Sequence, residues 1–120
     1  MTVAGFGCRA SATRASLLSA YQNAGGQADR LAAPRDKCAS PALVALARAL
    51  GLPLVAIDDT AMQAAQTLSQ SPASVAARAT GSVAEACALV AAGPGAQLLA
   101  PRAISDDRRA TCALAQGAPS

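Results

Sequence analysis

Between Thr2 and Leu68 the chain passes three times through the same series: a short apolar segment, a turn of glycine or polar residues, then apolar residues at helical spacing. Strands that alternate with helices in this way pair in parallel through their crossover helices. In the first unit, residues 2–6 end in Gly5-Phe6-Gly7, read as a glycine turn. Leu17, Leu18, Tyr21 and Ala24 then mark a helix stopped by Gly25-Gly26. The second unit has an extended segment at 28–33 and the polar stretch Pro34-Arg35-Asp36-Lys37. Its helix has Ser40 as N-cap, Pro41 at the first helical position, the stripe Leu43, Val44, Leu46, Ala47, Leu50, and Gly51 as terminator. In the third, residues 52–57 are apolar on both faces, as in a buried parallel strand. Asp58-Asp59-Thr60 then caps a helix running through Met62, Ala65 and Leu68.

After a break at Ser69-Gln70-Ser71-Pro72, residues 74–79 read as a strand and Thr80-Gly81 as its turn. Ser82 followed by Glu85 is a capping box, opening a helix that ends at Gly93-Pro94. Residues 97–100 and 110–115 flank the charged loop 105–109 as a closing hairpin. The expected fold is α/β: a three-layer α/β/α sandwich with a mostly parallel, mixed sheet and an antiparallel C-terminal hairpin. The length of 120 residues suits one domain, expected at residues 1–115 with a flexible tail at 116–120. Ala accounts for 34 residues, against 22 for Leu, Ile, Val and Phe together, so the core is thin and Ala-filled. The net charge of +3 does not oppose collapse.

Composition also excludes chemistry. The chain has no His, which removes the commonest metal ligand, the commonest general base and every Ser-His or Cys-His nucleophile pair. With no Trp, one Tyr and one Phe there is no platform for stacking bases, and the small positive surplus is no phosphate-backbone footprint, so nucleic acid is not an expected partner. No apolar stretch reaches the roughly 18 residues of a membrane helix, and residues 1–6 are too short and uncharged for a secretion signal. A cytoplasmic protein is expected, with no membrane partner. Cys8, Cys38, Cys87 and Cys112 form no CxxC pair, so neither a metal site nor a disulfide framework is expected, and no cofactor is implied.

In an open sheet of this class, ligands bind beyond the carboxyl ends of the strands, where helix N-termini converge. The loops so selected are Gly7-Cys8-Arg9, Arg35-Asp36-Lys37, Asp58-Asp59-Thr60, Thr80-Gly81-Ser82 and Pro101-Arg102. Nine Arg stand against one Lys, and six Asp against one Glu, so Lys37 and Glu85 run against the bias of the chain. Lys37 is either a solvated loop cation or an ammonium placed to bind a carboxylate. Glu85 is accounted for by its capping role. Cys8 is either a small residue where backbones approach closely or a thiol activated by a helix N-terminus and Arg9; no base stands beside it.

Together Gly5-Phe6-Gly7-Cys8-Arg9, Lys37 three residues before Ser40-Pro41, Thr80-Gly81-Ser82-Val83-Ala84-Glu85-Ala86 and Leu98-Leu99-Ala100-Pro101-Arg102 carry a resemblance. In order and spacing the chain resembles the family of CobE and the C-terminal domain of CbiG, from cobalamin biosynthesis, over residues 3–115. It departs from the family pattern at Ala10-Ser11, at Ser40 where a Glu is usual, and at Arg102 where a Lys is usual. The resemblance implies an α/β/α sandwich and a role with a corrinoid or precorrin intermediate, as a carrier or accessory factor beside other enzymes of the pathway. The alternative it implies is a hydrolase that opens a precorrin lactone and releases a C2 fragment, as full-length CbiG does with a further N-terminal domain. Gly7, Cys8, Arg9, Lys37, Thr80, Gly81, Ser82, Glu85 and Arg102 fall on motif positions and are the candidate ligand-binding residues. Arg9, Lys37 and Arg102 are suited to the carboxylates that ring such a macrocycle.

Overall fold

The computed structural model describes residues 1–65, 67 and 82–118. In chain order the elements are β1 (Thr2–Cys8), α1 (Arg14–Asn23), β2 (Arg30–Pro34), a 3-10 turn (Arg35–Lys37), α2 (Pro41–Leu50), β3 (Leu54–Ile57), α3 (Asp59–Ala64), α4 (Val83–Ala92), β4 (Gln97–Leu98), β5 (Ala103–Ile104) and β6 (Ala110–Gln116). Leu68, the strand expected at 74–79, Thr80 and Gly81 lie outside the described residues.

The six strands form one sheet in the order β3-β2-β1-β6-β4, with β5 also paired to β6. β1, β2 and β3 are parallel. β6 is antiparallel to β1 from Thr2↔Gln116 to Cys8↔Ala110. Because β1 fills one side of β6 along its whole length, β4 and β5 share the other side as two pieces of one interrupted strand. All strands but β6 therefore run the same way; β1, β2, β3 and β5 end at one rim, while β4 stops level with Val3, near the opposite edge. This is the mixed sheet with a C-terminal hairpin that the sequence predicts, and it extends to Gln116.

Alternate residues of each strand feed two cores, as a pleat of period two requires. Ala4 and Phe6, Leu31 and Ala33, and Cys112 and Leu114 pack with Leu17 and Tyr21 of α1 and Leu43 and Leu46 of α2. Val3, Ala32 and Ile57 point the other way, onto Met62 of α3 and Ala86 and Cys87 of α4. The result is the expected three-layer sandwich.

The glycine turn expected at Gly5-Phe6-Gly7 is corrected. β1 runs straight through it to Cys8, and neither glycine has a positive φ. On the α4 side, a Cβ on Gly5 would collide with the Ala84 carbonyl oxygen and lie 2.5 Å from the Ala88 nitrogen. One on Gly7 would lie 2.8 Å from Thr111 Oγ1. These glycines clear space for a helix laid directly on the strand, and Ala84 and Ala88 supply the matching small surface.

The expected helix ends hold in part. α2 begins at Pro41 and stops at Gly51, whose φ of 68° is left-handed, although the Ser40 side chain makes no capping hydrogen bond. α3 ends at Ala64, short of the expected Leu68, because Ala65 is already extended. α1 is opened by a reciprocal box not foreseen from the sequence: Thr13 Oγ1 accepts the Ser16 N–H, and Ser16 Oγ accepts the Thr13 N–H.

Candidate functional site

The rim at the carboxyl edge collects most of the candidate residues. Gly7 and Cys8 are the last residues of β1, and Arg9 is the first beyond it, with an exposed side chain. Lys37, half-buried, closes the 3-10 turn that follows β2. Ser82 is the buried N-cap of α4, and its hydroxyl accepts the Glu85 N–H at 3.3 Å. Arg102 does not reach this rim: it stands at the amino end of β5, just before Ala103, which is level with Phe6 across β6. Counting strands at about 4.8 Å each, Lys37 and Arg9 leave neighbouring strands, and Arg102 lies some 14 Å from the Lys37 strand.

Only half of the expected capping box forms: the Glu85 N–H donates to Ser82, while the Glu85 side chain serves the Arg102 N–H. Leu98 pairs with Ala115 and Ala103 with Cys112, so four residues, 99–102, stand opposite only two, Ala113 and Leu114. This is a double-length bulge in the edge strand, and it contains Pro101, which has no N–H to give a ladder. The fully buried Glu85 carboxylate reaches out of α4 and accepts the Arg102 N–H at 2.8 Å. The bulge thus frees a backbone donor that a helix carboxylate satisfies. The same Arg102 carries a buried Nη1 with no hydrogen-bond partner among the described residues.

Beside Arg9 lies a second cation that the sequence reading passed over as part of a turn. The Arg9 N–H donates to the Arg109 carbonyl at 2.9 Å, which continues the β1–β6 ladder and sets the two exposed arginines next to one another. The Arg108-Arg109 run was the available signal. Thr111, also overlooked, donates from Oγ1 to the Gly7 carbonyl at 3.4 Å.

Asp58, Asp106 and Asp107 are held by the protein. Asp58 Oδ1 accepts from Arg35 Nε at 2.7 Å, the one ion pair among the described residues. Asp106 Oδ1 accepts from Asn23 Nδ2. Asp107 accepts from the Ser105 and Ser16 hydroxyls and the Arg109 N–H, which pull its carboxyl down to about 2. Among the described residues no such bond engages the Arg9 or Lys37 side chains.

Two thiols behave as core. Cys112 is buried and its pKa is driven well above the ordinary range by desolvation. Cys87 is buried against the Met62 sulfur. Cys38 is half-buried and raised by burial, an effect that Arg35 partly offsets; its Sγ donates to the Ala33 and Val55 carbonyls. Cys8, half-buried, packs against the α1–α2 core. Among the described residues there is no group of His, Cys, Asp or Glu fit to hold a metal, and no helix long and apolar enough to cross a membrane. An apolar groove between α3 and the end of α4, lined by Ala61, Ala65, Leu89, Val90 and Pro94, opens at the opposite edge of the sheet.

The family model described as cobalamin synthesis G C-terminus matches residues 2–115. The chain belongs to that family. It is similar to CobE, a protein from the cobalamin (vitamin B12) biosynthetic pathway, at 30% identity and a TM-score of 0.84 over 100% of this chain and 92% of that one. It is also similar to the cobalamin biosynthesis protein chiG from Agrobacterium tumefaciens, at 30% identity and a TM-score of 0.74 over 99% and 100% of the two chains. A cobalamin biosynthesis protein G homolog from Sulfolobus solfataricus shares the fold, at 16% identity and a TM-score of 0.69 over 95% of this chain and 36% of that one. No curated protein sequence matches the chain. This cobalamin synthesis G C-terminal chain is thus a protein of the cobalamin biosynthesis pathway, of the CobE and CbiG C-terminal type.

Proposed function

We propose that the protein binds a corrinoid or precorrin intermediate through the carboxylates on the ring periphery and carries it between enzymes of the pathway. The observation that supports this reading most directly is the imbalance at the rim. Arg9 and Lys37 present cations from adjacent strands, while Asp58, Asp106 and Asp107 are engaged within the protein. Such a rim favours a polyanionic guest, because the guest supplies the acceptors that the fold withholds.

The test combines two readouts on one mixture of purified protein with precorrin and corrinoid intermediates: the visible spectrum and the product masses. A spectral shift with unchanged masses supports carriage. Loss of a C2 fragment supports instead the hydrolytic alternative, in which Lys37 or Arg9 polarises a water. No shift and no mass change removes both.

A further inference from the structure

We infer that Arg102 is the anchoring cation for one ring carboxylate and that Glu85 is its positioning residue; this deepens the corrinoid-binding reading and rests on it. The first observation is the orphaned donor. Arg102 Nη1 is shielded from solvent yet has no acceptor among the described residues. Buried polar groups are almost always paired, and a charged donor left without an acceptor is costly, so the gap is the mark of a partner that arrives from outside.

The second observation is independent of the first and lies in the backbone. The bulge at 99–102 turns Arg102 away from the ladder position it would hold in a regular strand, and bulges at sheet edges commonly re-aim a side chain in this way. What holds the Arg102 backbone in the bulge is the 2.8 Å bond from its N–H to Glu85 Oε2, made by a side chain that is itself fully buried. A hydrogen bond from a fully buried side chain on a helix is a stiff tether. Glu85 touches the main chain of Arg102, so it acts on a ligand only through that arginine.

Equilibrium dialysis of the full chain checks both roles, with cobyrinic acid as probe and its heptamethyl ester as the same ring without carboxylates. The wild type is expected to retain the acid and not the ester. Arg102→Gln should weaken retention of the acid roughly tenfold or more, the size of one charge-assisted hydrogen bond. Glu85→Ala should weaken it comparably, and the double variant should be no worse than Arg102→Gln alone, since two residues acting as one unit are not additive. Circular dichroism checks that each variant folds, and Glu85→Leu, which keeps most of the volume but has no acceptor, replaces the alanine form if that one does not. Retention of the acid within twofold of wild type by Arg102→Gln overturns the anchor while leaving corrinoid binding intact. Additive losses overturn the positioning role of Glu85. Failure of the wild type to retain the acid overturns the parent reading together with this one.

Discussion

The Ser16 hydroxyl in α1 donates to the Asp107 carboxylate in the hairpin loop, joining residues 91 positions apart. It is one of a row. Ser19 Oγ accepts the Asp106 N–H, and Asn23 Nδ2 donates to the Ile104 carbonyl and to Asp106, so one helix face of spacing 16, 19, 23 holds the whole turn. The turn in turn fixes the Arg109 carbonyl that receives the Arg9 N–H. The polar face of α1 therefore sets part of the cationic rim.

The Asp107 carboxyl titrates at about 2 in the fold, below its ordinary 3.8, chiefly because the Ser105 and then the Ser16 hydroxyl donate to its ionised form. A depressed carboxyl stabilises the fold above its unfolded value and loses that contribution as pH falls through the folded one. The urea midpoint is therefore expected to drop between about pH 4 and pH 2, and Asp107→Asn should flatten the drop in that window. An unchanged profile in the variant would assign the acid sensitivity elsewhere.

Ser105 is the hub of the same turn. Its buried hydroxyl donates to Asp107 and accepts the Arg109 and Ala110 N–H groups, the latter at 3.0 Å from a buried residue. Ser105→Ala leaves the buried Ala110 N–H without its acceptor, while the Arg109 N–H keeps Asp107, at a cost of about 1–3 kcal/mol in unfolding free energy, to be read from urea denaturation at pH 7.

How much of this was legible varies by element for physical reasons. α2 was readable because Pro41 and Gly51 are local punctuation whose meaning does not depend on the rest of the chain. Gly5 and Gly7 misled, because a glycine that starts a turn and a glycine that admits a helix look the same until the partner is known; the partner here, Ala84 and Ala88, lies some eighty residues on. The Ser16, Ser19 and Asn23 row was invisible for a related reason: polar docking leaves no hydrophobic period. Ser82 was legible as an N-cap, but the Glu85 side chain does not close the expected box, because its bond to Arg102 depends on a bulge that only the β4–β6 register reveals.

Gly5 gives a direct measure of that packing. Gly5→Ala drives a methyl into the α4 backbone, which has no flexible end to yield, and is expected to destabilise by about 3 kcal/mol or prevent folding. Gly51→Ala meets nothing within 4 Å and bears only the strain of its positive φ, about 1 kcal/mol. Thermal or urea unfolding of the two variants should rank them in that order.

Thiol accessibility follows the two cores. Cys87 and Cys112 are buried, whereas Cys8 and Cys38 are half-exposed. Iodoacetamide on the native protein should add no more than two adducts by intact mass, and four in 6–8 M urea, since only a reachable thiolate reacts. A third adduct on folded protein would show that one of the cores opens.

Salt separates the two rim cations from Arg102. Arg9 is exposed, Lys37 is partly so, and the Nη1 of Arg102 is shielded. Exposed charges lose most of their reach once the screening length falls from about 10 Å at 0.1 M to about 3 Å at 1 M salt, while shielded ones are screened far less. Arg9→Ala and Lys37→Ala are each expected to weaken retention of cobyrinic acid several-fold at 0.1 M NaCl, and the deficit should shrink towards nothing at 1 M. The deficit of Arg102→Gln should persist at both. Dialysis of the three variants at the two salt concentrations reads this directly; equal salt dependence in all three would mean that Arg102 meets the ligand in open solvent, as the other two do.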